Sequence, residues 1–454
     1  MRERKSGKLG QRHRSGTILI VTIWVVLVLA GLALAFARST RVAAVVSANH
    51  VASLEAECVA AGALEYVKAR LAATVSGETT DAETADTYKG MEIGTGYSWV
   101  LRSNLEDDRE FDYGLTEEAG KINLNSASLE MLLKLPGMTS ELAASLIDWR
   151  DTDSDVTSGG AEDEYYLLQP EAYHCKNAPL ETVDEILLIK GGTKELLYGE
   201  DTNLNGILDD NENDGDASEP ADDRDGRLDA GFYDYVTVYS AEANTDSEGN
   251  ARINITSADA RKELQTALQE ATSEERALEI MNQIPTNATY TNILDFYFRS
   301  GLTDDEFSTL ADRLTTSSEQ TLTGLVNVNT ASEEVLLCLP GLETSDVEAL
   351  LSYRSTNETL DSIAWVTNVL TREKAVGIGS YITVRSFQYS ADVVGVSHNG
   401  RAYKRSRAVL DLQGTSPRVV YWKALADSGW PLHAQIVATL RKGQPLTKTI
   451  LNAK

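Results

Sequence analysis

The chain has 454 residues and a formal net charge of -28, with 69 acidic against 41 basic side chains. At about 150 residues per domain, this length predicts roughly three folding units. Nucleic-acid binding depends on Lys and Arg neutralising phosphates, so the acidic balance argues against DNA or RNA as the main partner. Three cysteines, Cys58, Cys175 and Cys338, are too few for a disulfide framework.

The amino-terminal segment predicts a membrane anchor. A basic stretch over residues 1–16 precedes an uncharged, apolar run over residues 17–37, and these 21 residues are enough to cross a bilayer as a helix. Basic residues before the run and the acidic bulk after it predict a cytoplasmic amino terminus and an exported remainder. Helical periodicity continues to about residue 75, which predicts one helix on the order of 90 Å long.

The start of this helix resembles the leader junction of the type IV pilin and pseudopilin family. In that family a prepilin peptidase cuts after a conserved glycine, so the resemblance implies a cut between Gly16 and Thr17. The fifth residue after the cut is Val21, where most members carry a glutamate. That carboxylate is thought to pair with the terminal amine of the subunit ahead, so its absence implies a subunit at the tip of a fibre.

A duplicated motif follows in the soluble part. Residues 121–150 (KINLNSASLEMLLKLPGMTSELAASLIDWR) and 325–354 (LVNVNTASEEVLLCLPGLETSDVEALLSYR) repeat at an offset of 204, and a degenerate third copy begins at Arg252. Each copy predicts a short extended piece, a helix ended by Leu-Pro-Gly and a second helix, and it resembles a helix–hairpin–helix. Thr139 and Glu343 stand where the DNA-binding form usually has a second glycine, which favours a packing role.

Residues 201–212 (DTNLNGILDDNE) fit the EF-hand calcium loop without a gap. The predicted ligands are the main-chain carbonyl of Ile207 and five side chains, those of Asp201, Asn203, Asn205, Asp209 and Glu212. Hard oxygen ligands at this spacing suit Ca²⁺ better than a transition metal. The sequence therefore predicts a structural calcium ion in an EF-hand-like loop.

A second acidic cluster predicts a weaker calcium site. It has the alternating start of the motif without its fixed glycine and terminal glutamate, and its members are Asp151, Asp153, Asp155, Glu162 and Asp163. A third acidic run, over residues 223–229, is half a motif and indicates a solvated loop.

The remaining patterns predict the fold. Residues 96–103, 379–387, 390–397, 401–413 and 418–423 alternate as strands do, and Asn399-Gly400 predicts a hairpin turn. We expect an α+β, pilin-like fold in which the long helix packs on an antiparallel sheet that is interrupted by a large α-helical insertion. The predicted parts are a leader (1–16), a transmembrane helix (17–37), the first part of the pilin-like domain (38–120), the inserted domain (121–376), the carboxyl-terminal strands (377–425) and an extension (426–454).

Several blocks are similar to the type II secretion system protein K (GspK) family. They are the two repeats, the acidic segment 147–166 with its GGAEDEYY ending, and residues 231–240 (GFYDYVTVYS). The resemblance covers residues 14 to about 425 and implies a minor pseudopilin, not an enzyme, that helps to initiate and cap the secretion pseudopilus. It also implies calcium binding in the helical domain, because that family is known for it.

The same resemblance implies a location and partners. The chain would lie in the bacterial inner membrane with its bulk in the periplasm. Other minor pseudopilins would bind through the amino-terminal helix, next to the major pseudopilin, and the outer-membrane secretin or secreted cargo would be further partners.

Two other interpretations stay open. One is a membrane-anchored DNA receptor built on the hairpin repeats, which would need basic patches near residues 137–145 and 341–349, and those segments have none. The other is a generic anchored calcium-binding scaffold whose leader is not cut. The sequence contains no G-x-S-x-G, P-loop or H-E-x-x-H motif that would favour a hydrolase or an NTPase.

Overall fold

The computed structural model describes residues 15–75, 85–105, 107–215, 217–218, 222–285, 288–357, 360–414 and 416–451. Its helices are α1 (Ser15–Val75), α2 (Leu129–Leu133), α3 (Ser140–Arg150), α4 (Asp163–Tyr166), α5 (Lys194–Tyr198), α6 (Arg261–Ala271), α7 (Glu274–Gln283), α8 (Ile293–Ser300), α9 (Asp304–Ala311), α10 (Glu333–Leu337), α11 (Thr344–Thr356), α12 (Arg372–Ile378), α13 (Ala434–Arg441) and α14 (Lys448–Leu451). Its strands are β1 (Met91–Ile93), β2 (Gly96–Arg102), β3 (Asp112–Tyr113), β4 (Thr116–Glu117), β5 (Ile122–Asn123), β6 (Val236–Thr237), β7 (Ala241–Ala243), β8 (Ile253–Asn254), β9 (Leu314–Thr315), β10 (Thr321–Thr323), β11 (Val326–Asn327), β12 (Ile382–Thr383), β13 (Gln388–Val396), β14 (Tyr403–Asp411) and β15 (Arg418–Ala424).

One seven-stranded antiparallel sheet joins the two ends of the soluble part. Its order is β1, β2, β13, β14 and β15, with β3 also paired to β2 and β4 also paired to β13. The hydroxyl of Ser98 donates to the carbonyl of Val394 at 2.9 Å, although the two residues are 296 positions apart. The long segment between β4 and β13 is therefore an insertion, which confirms the predicted α+β fold of a long helix, an antiparallel sheet and an inserted helical part.

One expected strand belongs elsewhere. Residues 379–387 were expected in the sheet, but they contain only β12, which pairs in parallel with β11 inside the insertion. The chain returns to the sheet at Gln388. The alternating pattern is the same for a strand in either place, so the sequence cannot tell them apart.

Helix α1 packs on one face of the sheet through small side chains. Ala52, Ala56 and Ala63 are almost fully buried there. Gly395 on β13 lies so close to the helix that a Cβ at this position would be 2.5 Å from both the carbonyl oxygen of Ala56 and the amide nitrogen of Ala60. The buried alanines in the second half of the helix therefore allow close backbone approach.

The carboxyl-terminal segment, residues 425–451, covers the opposite face. Gly395 faces α1, so its neighbours Val394 and Val396 point away from α1, because side chains alternate along a strand. Trp430 packs edge-on against Tyr403, which pairs with Val396 and shares its face, and Leu432, Ile436 and Leu440 are buried in the core that contains these valines. No role was assigned to residues 426–454 from the sequence, and the structure makes most of them the third layer of the domain.

The insertion contains three units with one plan. Each opens with a strand, continues through helices and closes with a strand that pairs in parallel with the first: β5–β6, β8–β9 and β11–β12. In each pair an asparagine lies opposite a threonine, in the order Asn123–Thr237, Asn254–Thr315 and Asn327–Thr383. The degenerate copy that begins at Arg252 is thus a complete unit.

An arginine closes each of the two clear repeats. Arg150, in the last turn of α3, donates to the carbonyls of Leu124 and Ala127. Arg354, in α11, donates to the equivalent carbonyls of Val328 and Ala331 at 3.2 and 2.8 Å. These bonds tie the second helix of each repeat to the extended piece at its start.

Candidate functional site: an apolar anchor and two acidic centres

The first half of α1 is an apolar surface with no cover. Residues 18–47 are all exposed, and α1 is the described helix that is long and apolar enough to cross a membrane. Exposed leucine, isoleucine and valine side chains over this length are stable in a bilayer or among other helices, and unfavourable in water. Val21 is part of this surface. Residues 1–14 of the predicted leader lie outside the described residues. The predicted cut between Gly16 and Thr17 falls in the first turn of α1.

The backbone of the loop 201–212 folds around one carboxylate. Asp201 accepts the amide of Asn205 at 3.0 Å through Oδ1 and the amide of Gly206 at 2.8 Å through Oδ2. Gly206 has a φ of +71°, and Leu204 also lies in the left-handed region with a φ of +55°. A leucine in that region is unusual, so the surrounding structure must hold the turn in place.

The predicted ligand side chains of this loop converge. Oδ2 of Asp209 accepts hydrogen bonds from the side-chain amides of Asn203 and Asn205, at 2.6 and 3.2 Å. Glu212 accepts the backbone amide of Thr202 at 2.9 Å through Oε1 and that of Asp209 at 3.1 Å through Oε2. The side-chain oxygen of Asn203 is buried and has no hydrogen-bond partner among the described residues. Such an oxygen fits a cation that approaches from inside the loop.

Two carboxylates in the loop are buried, and no cationic side chain of the described residues pairs with them. Asp201 and Glu212 are 5% and 1% exposed, and among the described residues neither forms an ion pair with Lys, Arg or His. Burial, and then the charge of Glu212, raise the pKa of Asp201 to about 7, and burial raises the pKa of Glu212. Buried charges are stable only when they are compensated, and a divalent cation would supply that compensation.

A second acidic centre lies where α3 ends and α4 begins. Asp148 and Glu162 are 0% and 3% exposed. Among the described residues, Oδ2 of Asp148, Oδ1 of Asp151 and both carboxylate oxygens of Glu162 are buried without a hydrogen-bond partner, and the thiol of Cys175 donates to the carbonyl of Asp148. Burial raises the pKa of Glu162, and the charges of Asp148, Asp151 and Asp153 raise it further. These carboxylates therefore repel one another, and none of them forms an ion pair with a Lys, Arg or His that the structure describes.

The members of this centre differ from the predicted set. Asp163 turns away, since its carboxylate contacts Nδ1 of His174 at 2.9 Å and accepts the amide of Cys175 at 2.7 Å. Asp155 is exposed, and no contact within the described part of the chain joins its carboxylate to the centre. Asp148 takes part although it is not among the predicted ligands. Its position three residues before Asp151, at the end of a predicted helix, is the signal that would have found it.

The third acidic run remains an ordinary loop. Asp223 and Asp225 are exposed, and each accepts a backbone amide two residues further on, at 2.9 and 2.8 Å. The part of the chain that the structure describes holds no ready-made group of three or more His, Cys, Asp or Glu side chains for a metal ion. The first centre does not depend on such a group, because its predicted ligands include two side-chain amides and a main-chain carbonyl. In the second centre, the carboxylates would have to move closer together to bind an ion.

The hairpin repeats offer little to a phosphate. Oγ1 of Thr139 already accepts the amide of Leu142 at 3.1 Å at the start of α3. At the start of α11, Glu343 and Asp346 both pair with Lys374, at 3.4 and 2.5 Å. Helix amides that bind phosphate must be free and in positive surroundings. That the chain does not bind nucleic acid stays a prediction.

The chain is similar to proteins of a bacterial secretion system. Residues 113–198 match the family model of the type II secretion system (T2SS) protein K. The type II secretion system protein K of Klebsiella pneumoniae is 41% identical over 63 residues, which are 14% of this chain and 19% of that protein, so the chain spans about a fifth of the relative it matches. A chain of the crystal structure of the GspK–GspI–GspJ complex from enterotoxigenic Escherichia coli aligns with a TM-score of 0.37 at 12% identity, over 80% of this chain and 94% of that one.

Proposed function

We propose that this chain, which belongs to the type II secretion system protein K family, is a minor pseudopilin at the tip of the secretion pseudopilus. It would help to initiate and cap the fibre during protein export across the outer membrane. The observation that carries the proposal is the match of residues 113–198 to the protein K family. The role would be structural, with no reaction catalysed by the chain.

The build of α1 supports a position at the tip. Its first half is apolar and exposed, which suits a membrane before assembly and a bundle of helices afterwards, while its second half is bound to the sheet. Val21 stands where most pseudopilins carry the glutamate that pairs with the subunit ahead. A tip subunit has no subunit ahead of it, and an uncharged residue avoids burying an unpaired carboxylate in apolar surroundings.

The proposed surroundings follow from the anchor. The basic residues before α1 and the acidic bulk after it favour the bacterial inner membrane, with the folded part in the periplasm. Other minor pseudopilins would pack along the exposed half of α1, with the major pseudopilin behind them. A partner in the outer membrane, the secretin, or the secreted cargo would contact the insertion.

Leader cleavage tests the pseudopilin assignment. The full chain would be co-expressed with a prepilin peptidase and its amino-terminal residue determined by mass spectrometry. We expect a new amino terminus at Thr17, and an intact leader in the Gly16→Leu variant. An intact leader in the natural chain, with a peptidase shown to be active on another prepilin, would leave an anchored calcium scaffold or a DNA receptor.

The tip position needs a second experiment. The processed chain would be co-expressed with the minor and major pseudopilins of its own secretion system and purified from detergent. We expect minor pseudopilins to co-purify with it, and we expect Val21→Glu to leave that complex intact while it weakens export. Co-purification with the major pseudopilin alone would argue for a position along the fibre.

We also propose that both acidic centres bind calcium. In the first, the residues that would hold the ion are Asp201, Asn203, Asn205, Ile207, Asp209 and Glu212. In the second they would be Asp148, Asp151 and Glu162, with Asp153 nearby. Calcium would supply positive charge to buried oxygens that lack it, and its preference for six to eight oxygen ligands suits these sets.

Calorimetric titration with calcium chloride tests the two centres separately. Glu212→Gln removes the bidentate ligand of the first centre and Glu162→Gln a buried carboxylate of the second, so each should remove one binding event. Asp155→Asn is the matched control, because this exposed acid lies in the same segment as the second centre. Unchanged stoichiometry in the Glu212→Gln variant would contradict the first site, and in Glu162→Gln the second.

A further inference from the structure

Three parts of the pilin-like domain meet at the loop 201–212. Arg405 reaches it from β14, and Pro431 reaches it from the carboxyl-terminal segment. Asp108, in the connection between β2 and β3, accepts the amide of Leu208 at 2.8 Å through its carbonyl. The loop belongs to the insertion by sequence, and yet its contacts are with the sheet and the segment that covers it.

Arg405 is the centre of these contacts. Its side chain is 0% exposed and forms an ion pair with Asp392 at 2.8 Å. Nη1 of its guanidinium donates to the carbonyl oxygen of Asn203, and Nη2, which also pairs with Asp392, donates to that of Leu204 at 2.6 Å. A planar guanidinium with donors on several sides can hold two carbonyls and a carboxylate together, which a lysine cannot do.

The carboxyl-terminal segment is bound to the same group of residues. The amide of Leu425 donates to the carbonyl of Arg405 at 2.9 Å. The side-chain nitrogen of Asn205 donates to the carbonyl of Pro431 at 3.4 Å. Trp430 packs edge-on against Tyr403, with ring centroids 5.1 Å apart. The start of the segment therefore rests on the loop and on the strand that holds the loop.

We propose that calcium in the loop 201–212 fastens the carboxyl-terminal segment, residues 425–451, to the sheet, with Arg405 as the positioning residue that joins the two. This inference rests on the calcium site proposed above. Without the ion, the buried charges of Asp201 and Glu212 repel each other and the loop opens. Opening moves the carbonyl of Leu204 away from Arg405, and it moves Asn205 away from the segment.

Loss of these bonds has a predictable consequence. The segment keeps its apolar side chains against the sheet, but its first residues lose their polar attachment, so it opens more often. Calcium thereby controls the layer of the domain that lies opposite α1. The ion would thus act on residues 425–451, which lie outside its own set of ligands.

Hydrogen exchange measured by mass spectrometry tests this inference on the full chain in detergent. Peptides from 201–212, from 425–451 and from α11 as a reference would be compared with calcium chloride and with EGTA. We expect EGTA to speed exchange by about tenfold or more in both of the first two segments and to leave α11 unchanged. Faster exchange in 201–212 alone would overturn the inference while leaving the calcium site intact. No change in 201–212 would contradict the calcium site itself.

Two matched variants separate positioning from general stability. Arg405→Lys keeps the charge beside Asp392 and loses the fork that holds the loop carbonyls. Arg407→Lys changes the neighbouring arginine, which also pairs with Asp392, at 3.1 Å, and donates to no loop carbonyl in the described residues. We expect Arg405→Lys to weaken calcium binding by about tenfold and to make exchange in 425–451 insensitive to calcium. Equal effects from Arg407→Lys would show that the ion pair, and not the contact with the loop, is responsible.

Discussion

Replacement of Asp201 by asparagine measures what the buried charge of the first centre costs. In the calcium-free chain, burial and the charge of Glu212 raise the pKa of Asp201 from 3.8 to about 7. One pKa unit corresponds to about 1.4 kcal/mol, so ionising Asp201 costs roughly 4 kcal/mol more in the folded chain than in the unfolded chain. The side chain is buried, so screening by solvent reduces this figure little.

The sign of the pH dependence follows from that shift. The folded chain holds this proton more tightly than the unfolded chain, so the contribution of Asp201 to stability is complete below about pH 4. It is lost as the pH rises through the folded pKa of about 7. Asparagine cannot ionise, and its oxygen can still accept amides of the loop. In EGTA at pH 8, Asp201→Asn should therefore raise the free energy of unfolding by up to roughly 4 kcal/mol.

The assay is urea unfolding of the full chain in detergent at pH 5 and pH 8, with calcium or with EGTA. In calcium the order should reverse, because the variant lacks a charged ligand for the ion. Asp155→Asn serves as the control for the loss of one acid at an exposed position. A variant that is no more stable than the natural chain at pH 8 in EGTA would refute the account of the loop as a centre of uncompensated charge.

Three further substitutions test the packing. Gly395→Val places side-chain atoms where the backbone of α1 lies, so we expect a loss of about 1–3 kcal/mol in urea unfolding, and faster proteolysis of α1. Leu440→Ala should lower the free energy of unfolding by about 2–5 kcal/mol, because this leucine is buried in the layer opposite α1. An unchanged midpoint of urea unfolding would show that α13 does not pack on the sheet. Arg354→Lys should cost about 1–3 kcal/mol through the loss of its bonds to Val328 and Ala331, while a lysine at the exposed Arg418 should have little effect.

The long apolar helix and the turn of the loop 201–212 could be predicted from the sequence because their information is local. An uncharged run of 21 residues is long enough to cross a bilayer as a helix, and helical periodicity predicts the length of α1. All six predicted ligands in the loop 201–212 lie within twelve consecutive residues, so turn geometry alone brings them together. The repeats were visible for the same reason, since similar local sequences form similar local structures.

The second centre shows where such reasoning stops. Asp163 follows Glu162 in the sequence, yet it bonds to His174 and Cys175 and points away from the centre. Glu162 meets Asp148 because α3 and α4 pack in one core, and no spacing in the sequence encodes that packing. Which acid joins a cluster depends on helix ends that are brought together by distant apolar contacts.

The sequence by itself determined the membrane-spanning length of α1, the repeated units and the turn of the loop 201–212, because each depends on residues that are neighbours in the chain. Only the tertiary structure decided that β12 pairs inside the insertion, that residues 425–451 cover the sheet, and that Arg405 holds the loop 201–212. Those contacts join residues tens to hundreds of positions apart. Their geometry is set by how all the layers pack together, and a short stretch of sequence carries no record of it.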